Sequence, residues 1–272
     1  MFTIIYHKDC YDGFGAAWVA NRELSAYTRE FIPCAYGDPV PAITNSDVYI
    51  LDFSFPKPVM EKFKAENKSV VCLDHHKTAQ ASLEGLDWCE FDMNRSGAGM
   101  TWDHFHEESR PDLINYIEDR DLWRFALSKS REIHAYISSF PKDFATWDKL
   151  NMDLIYHYAD CVYAGEAILR YYDQKVQELA QHAIIRDVAG YKVPVVNCPY
   201  LFASDVLHVL CDKYPDSPFA AGWSETTDGV KRYSLRGRST DDFDVSEIAK
   251  RFGGGGHRKA AGYEEPMGLS RG

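Results

Sequence analysis

The sequence lacks any cysteine pairing pattern. Its seven cysteines (Cys10, Cys34, Cys72, Cys89, Cys161, Cys198 and Cys211) are odd in number, scattered, and never spaced C-x-x-C. That excludes a disulfide framework and a zinc knuckle, and it points to a reducing, cytoplasmic setting. No apolar run approaches the roughly 18 residues that a membrane span needs. Lys8 and Asp9 follow directly on the short apolar start, so neither a signal peptide nor a membrane anchor is expected. Positive charge is also scarce, since 30 Lys and Arg against 41 Asp and Glu leave a formal charge of −11. Such a surface does not coat long nucleic acid by charge alone, although a small anion can still bind where a metal supplies positive charge. With 45% hydrophobic, 14% aromatic and 26% charged residues, the composition is that of a globular protein with a packed core. At about 150 residues per domain, 272 residues suggest two domains.

Short apolar segments alternate with helical ones over the first half. Phe2 to His7, Ser46 to Asp52, Ser69 to Asp74 and Trp88 to Met93 read as strands, and Gly13 to Leu24, Lys57 to Asn67, Gly99 to Glu108 and Asp112 to Phe125 as helices. Strands separated by about ten helical residues pair in parallel, with helices on the faces. From Asp153 to about Asp187 the apolar residues recur near the helical period, as expected of a long helical connector. After Gly190 strand-like and helical stretches mix, with a hairpin expected around Asp228-Gly229. The expected architecture is α/β, with a parallel-sheet domain over 1–150, a helical connector over 151–188 and a smaller α+β domain over 189–272.

Three expected strands end in acidic or histidine clusters: His7-Lys-Asp9-Cys-Tyr-Asp12-Gly13, Asp52, and Asp74-His75-His76. In an open parallel sheet the C-terminal strand ends share one rim, where ligands gather. Carboxylates crowded there raise one another's pKa unless cations hold them ionised, so convergence implies a metal. Oxygen ligands mixed with imidazoles suit Mn²⁺, or Mg²⁺, better than structural zinc. Two ions about 3.5–4 Å apart could share such a ligand set, an arrangement that polarises a phosphoryl oxygen and activates water. Each piece alone is equally at home as a helix cap or turn residue; the combination is what carries the reading.

His7-x-Asp9-x-x-Asp12-Gly13, Asp52, Asp74-His75-His76 and a later Asp119 resemble the ordered motifs of the DHH phosphoesterase family. Gly253-Gly-Gly-Gly-His257-Arg-Lys-Ala-Ala-Gly262 resembles the glycine-rich signature of the DHH-associated substrate-binding domain, so the resemblance spans nearly the whole chain. It implies a binuclear manganese site with Asp52 bridging, His7 and Asp9 on one ion, and Asp12, His75 and Asp119 on the other. Asp74, His75 and His76 form the catalytic signature, with His76 near the scissile phosphate. Many family members place the first-motif acids two residues apart. Here Asp9 and Asp12 are three apart, and Cys10 between them is an unusual neighbour for the metal. The family pattern favours Asp119 over Asp121, which is assigned an outer, orienting role.

Other residues read less sharply. His104 and His106 alternate about Phe105 and fall on different helix faces, as packing or surface residues. Ser96 stands before a helix and suits an N-cap or a phosphate contact equally. Lys231 to Lys259 carries eight basic residues against four acidic ones. Within it, bare backbone amides at Gly254, Gly255 and Gly256 could form a phosphate nest with His257 as an added donor. Arg236 suits bidentate phosphate or the edge of guanine.

The expected activity is Mn²⁺-dependent hydrolysis of short linear oligoribonucleotides or dinucleotides to mononucleotides. pGpG, the linear product of cyclic di-GMP breakdown, is suggested by the resemblance to nanoRNase-type members. A cyclic-dinucleotide phosphodiesterase, a 3′-phosphoadenosine 5′-phosphate phosphatase and a non-catalytic nucleotide sensor are the alternatives. The expected partner is a short nucleotide, with no long nucleic acid and no membrane; a homodimer is left open.

Overall fold

The computed structural model describes residues 1–226, 229–238 and 242–266. The chain divides into two units, Met1–Leu169 and Arg170–Gly272. The first contains β1 (Phe2–His7), α1 (Tyr11–Glu23), β2 (Arg29–Cys34), β3 (Asp47–Leu51), α2 (Lys57–Glu66), β4 (Ser69–Asp74), α3 (Lys77–Ser82), β5 (Cys89–Phe91), α4 (Gly97–Phe105), α5 (Asp112–Asp121), α6 (Ser130–Ser138) and α7 (Phe144–Tyr156). Helix α8 (Tyr158–Ala180) crosses the boundary between the units.

The five strands of the first unit pair in parallel in the order β2-β1-β3-β4-β5. Successive residues of a strand face opposite sides of a sheet, and here both sides are covered. Ile4, Leu51 and Leu73 pack with Trp18, Met100, Ile114 and Trp147 from α1, α4, α5 and α7. Ile5, Ile50 and Cys72 face the other way, onto Met60 and Phe63 of α2. This explains why β1, β3 and β4 read as unbroken apolar runs and not as alternating ones. Burying each large apolar side chain contributes ~1.5–3 kcal/mol, which is enough to hold polar residues in place at the strand ends. The edge strand β2 was not expected from the sequence. Its residues Arg29, Glu30 and Pro33 interrupt any apolar run, and it is only half covered.

The second unit is built from β6 (Ile184–Val188), β7 (Tyr191–Asn197), α9 (Tyr200–Lys213), β8 (Phe219–Glu225), β9 (Val230–Gly237), α10 (Val245–Arg251), β10 (Gly255–Gly256) and β11 (Ala260–Pro266). Its sheet runs β10-β11-β9-β8-β7-β6, antiparallel except between β7 and β8. Val195, Phe219, Ala221 and Leu235 pack with Val245 and Ile248 of α10. Val196 and Ala220 turn the other way, against Val206, Leu207 and Leu210 of α9.

One sequence expectation needs correction here. The helical stretch assigned to 151–188 breaks at His157, whose amide ends α7 on Asp153, and α8 stops at Ala180. Ile184–Val188 then forms a strand paired with β7. Of the expected turn at Asp228-Gly229, Asp228 lies outside the described residues, whereas the Gly229 amide donates to the Thr226 carbonyl. All seven cysteines are free thiols, and among the described residues no helix is long and apolar enough to cross a membrane.

Candidate metal centre

The order β2-β1-β3 reverses direction at β1, and the carboxyl ends of β1, β3 and β4 deliver His7, Asp52 and Asp74-His75-His76 to one rim. Asp52 sits at the centre. Its Oδ2 lies 3.3 Å from His7 Nδ1 and its Oδ1 lies 3.1 Å from His75 Nε2. The same His75 nitrogen is 3.6 Å from Asp12 Oδ2 and 3.5 Å from Asp121 Oδ2. Asp74 Oδ1 accepts from the His75 and His76 amides at 2.8 and 3.2 Å and pairs with His76 Nδ1 at 2.7 Å. Three groups, His7/Cys10/Asp52, Asp12/His75/Asp121 and Asp52/Asp74/His76, each bring their donor atoms within 4.8 Å of one another.

Local backbone chemistry explains the convergence. Asp52 has φ +54°, a left-handed conformation that most residues avoid and that Asp tolerates better than most. A β-carbon at Gly97 would overlap Asp52, and one at Gly13 would overlap His7. These two glycines therefore allow α4 and α1 to start directly against the strand ends. The first amides of α4 then grip Asp12, with Gly97 donating to Oδ2 at 2.5 Å and Ala98 to Oδ1 at 2.9 Å. Unpaired helix N-terminal amides carry partial positive charge and favour a carboxylate there.

Burial and the neighbouring imidazoles pull the carboxylates of this site in opposite directions. Asp12, Asp52 and Asp74 are 0–1% exposed. Burial, reinforced by Asp52 and Asp121, raises Asp12 well above the carboxylate range. Burial pushes Asp52 the same way, but hydrogen bonds from His7 and His75 outweigh it and hold Asp52 well below that range. His75 answers in kind: burial favours its neutral form, yet Asp52 and Asp121 raise it well above 6.5. Asp74 Oδ2 is buried with no hydrogen-bond partner. Such orphaned, acceptor-only oxygens beside imidazoles form a donor set suited to a divalent cation.

Several of the expected residues lie outside these groups. Asp119 does not join the cluster, because its oxygens accept from the Ala126 and Leu127 amides at 2.9 and 3.2 Å. Asp121, at the end of α5, takes the place beside His75. Asp9 is exposed, has φ +58° and belongs to none of the three groups, whereas Cys10 does. Ser96 caps α4. Its side chain accepts from Gly99 at 3.1 Å, its amide donates to Glu118 at 2.9 Å, and it is fully buried.

In the second unit the glycine run ends α10 and enters the sheet. The Gly254 amide donates to Ala249 and is lost to the expected phosphate nest, while Gly255 and Gly256 form β10 against Gly262 and Ala261. His257 turns back on Ala260, which pairs with Arg236, so His257 and Arg236 lie at one end of that sheet. Arg236 also donates to Ser204 Oγ at 2.6 Å. His104 packs on Tyr49, and His106 stacks on Trp102 and pairs with Glu23, as expected of packing residues.

Cys10 and Asp121 belong to these donor groups, although the sequence did not count them among the expected ligands. A signal for Asp121 was present, since Glu118 and Asp121 lie three apart on α5 and share a face, and Glu118 faces the start of α4.

Comparison of the whole chain with solved structures aligns 96% of it with 82% of a DHH domain from a member of a ribosomal protein family, at TM-score 0.57 and 11% identity. The fold is that of a DHH domain. A pGpG-specific phosphodiesterase, PggH from Vibrio cholerae, aligns more loosely, over 98% of this chain and 94% of that one (TM-score 0.49, 11% identity); at that score the likeness bears on neither substrate nor mechanism. No family model matches the chain. An uncharacterized protein, R106, of Acanthamoeba polyphaga mimivirus is 30% identical over 285 aligned positions, covering 96% of this chain. The DHH-fold chain spans 66% of the length of that relative.

Proposed function

We propose that this chain is a metal-dependent phosphodiesterase that hydrolyses short linear oligoribonucleotides or dinucleotides, pGpG among them, to mononucleotides. The observation that carries this reading is the meeting of Asp12, Asp52, Asp74, His7, His75 and His76, from separate parts of the chain, at one buried acidic rim of a DHH fold. Two Mn²⁺ ions are the proposed occupants, with Mg²⁺ as the substitute. His7 and Asp52 would hold one, and Asp12, His75 and Asp121 the other. A divalent cation bound there supplies Lewis-acid polarisation of a phosphoryl oxygen and activation of water.

The chain's own groups do the rest. Asp74 orients the His76 ring through Nδ1 at 2.7 Å, and His76 is proposed to contact the scissile phosphate and to deliver a proton to the departing oxygen. The α4 N-terminus keeps Asp12 in position. Arg236 and His257 of the second unit are proposed to bind a phosphate or a guanine edge of the substrate. The formal charge of −11 disfavours long tracks of phosphate contacts and so favours short substrates.

The test is a turnover assay in Mn²⁺ on pGpG, other dinucleotides, longer RNAs, cyclic dinucleotides and 3′-phosphoadenosine 5′-phosphate, run beside Asp74→Ala and His75→Ala. Mononucleotide release from dinucleotides, abolished in both variants, is expected. Free phosphate from the bisphosphate alone, or full activity in either variant, contradicts the reading.

A further inference from the structure

Cys10 stands where a hard oxygen ligand was expected. It caps the start of α1 in an extended conformation, yet its side chain makes no capping hydrogen bond. Its sulfur lies within 4.8 Å of donor atoms of both His7 and Asp52. Asp9, its neighbour, is exposed and turned aside by a left-handed backbone.

Thiolate is the form in which cysteine binds metal. Asp52 of the His7/Cys10/Asp52 group also belongs to a second group, with Asp74 and His76, and the Asp74 Oδ2 there is buried without a hydrogen-bond partner.

We propose that Cys10 is a thiolate ligand of the cation on the His7 side of Asp52, filling the place expected for Asp9. The inference rests on the metal-site reading above and deepens it. On binding, the S–H bond breaks as the sulfur–metal bond forms, and the proton passes to solvent; no electron is transferred. A soft sulfur beside oxygen and imidazole donors shifts preference towards thiophilic cations such as Co²⁺, Zn²⁺ and Cd²⁺, relative to a site with oxygen in that position.

The experiment is a Co²⁺ titration of the metal-free full chain. It reads three quantities: bound metal by equilibrium dialysis, the near-ultraviolet sulfur-to-cobalt charge-transfer band, and the rate of Cys10 alkylation by iodoacetamide, followed by peptide mass. The expected result is bound cobalt with a charge-transfer band and protected Cys10. Cys10→Ser should lose the band and still bind cobalt, and Cys10→Asp should bind with its preference moved towards Mn²⁺. Cobalt bound with no band and no protection of Cys10 overturns the thiolate and leaves the metal centre standing, as does a band that persists in Cys10→Ser. No cobalt bound by the unaltered chain overturns both. Should Cys10→Ser fail to fold, protection of Cys10 in the unaltered chain decides alone.

Discussion

Two acidic regions of the first unit both grip the first turn of α4, and they neutralise their charge differently. On one side Glu118 accepts from the Ser96 amide and pairs with Arg110 at 2.7 Å and Arg124 at 3.2 Å. Arg110 in turn meets Asp103, which also meets Arg95, and Arg95 holds Glu90 and Asp92. Each carboxylate there meets at least one guanidinium. On the other side Asp12 accepts from Gly97 and Ala98, and beyond it lie Asp52, Asp74 and Asp121 with imidazoles as the cationic groups among the named contacts. A network with permanent cations keeps its charge at any ordinary pH; one that leans on titratable imidazoles can exchange its protons for a metal.

The contrast makes separable predictions. Asp52→Asn removes the central carboxylate and should lower turnover by at least about 10²-fold, the scale of losing one charge-stabilising group from a hydrolase. Its fold should persist, read by circular dichroism. Glu118→Ala should do the reverse. Breaking a largely buried ion pair costs about 3 kcal/mol of stability, seen in denaturant unfolding, while the folded fraction still binds metal.

Neighbouring aspartates provide a finer version of the same test. Asp121→Asn should weaken Mn²⁺ binding by about 10-fold or more, as when a supporting group of a metal site is lost. Asp119→Asn should leave binding nearly unchanged and cost about 1 kcal/mol through the Ala126 and Leu127 amides. Equal effects of the two substitutions would dissolve the distinction drawn between them.

How far the sequence disclosed this arrangement depends on the kind of residue. β1, β3 and β4 were legible because strands covered on both faces read as apolar runs, and their terminal His7, Asp52 and Asp74-His75-His76 followed from the rim rule for parallel sheets. Asp121 over Asp119 was not legible in the same way. Asp119 is drawn off by the amides of Ala126 and Leu127, beside left-handed residues at Trp123 and Phe125, and no propensity announces such a turn. Cys10 over Asp9 hinges likewise on one positive φ. Ser96 gave two equal readings, and the cap is the one visible in its hydrogen bond to Gly99.

A smaller effect is expected from pH. His75 is raised well above 6.5 by Asp52 and Asp121, and burial, with those same acids, raises Asp12. Both must lose protons before they bind a cation, so apparent Mn²⁺ affinity should fall as pH drops and rise as pH climbs. The arginine network keeps its charge throughout. Affinity that is flat with pH, measured by titration calorimetry in buffers of different ionisation heat, would contradict this.

The most direct measurement is Mn²⁺ binding to the metal-free chain by calorimetry and electron paramagnetic resonance, with Asp52→Asn alongside. The account predicts saturable uptake by the unaltered chain and its collapse in the variant. Absence of uptake, or identical isotherms for the two proteins, would contradict it.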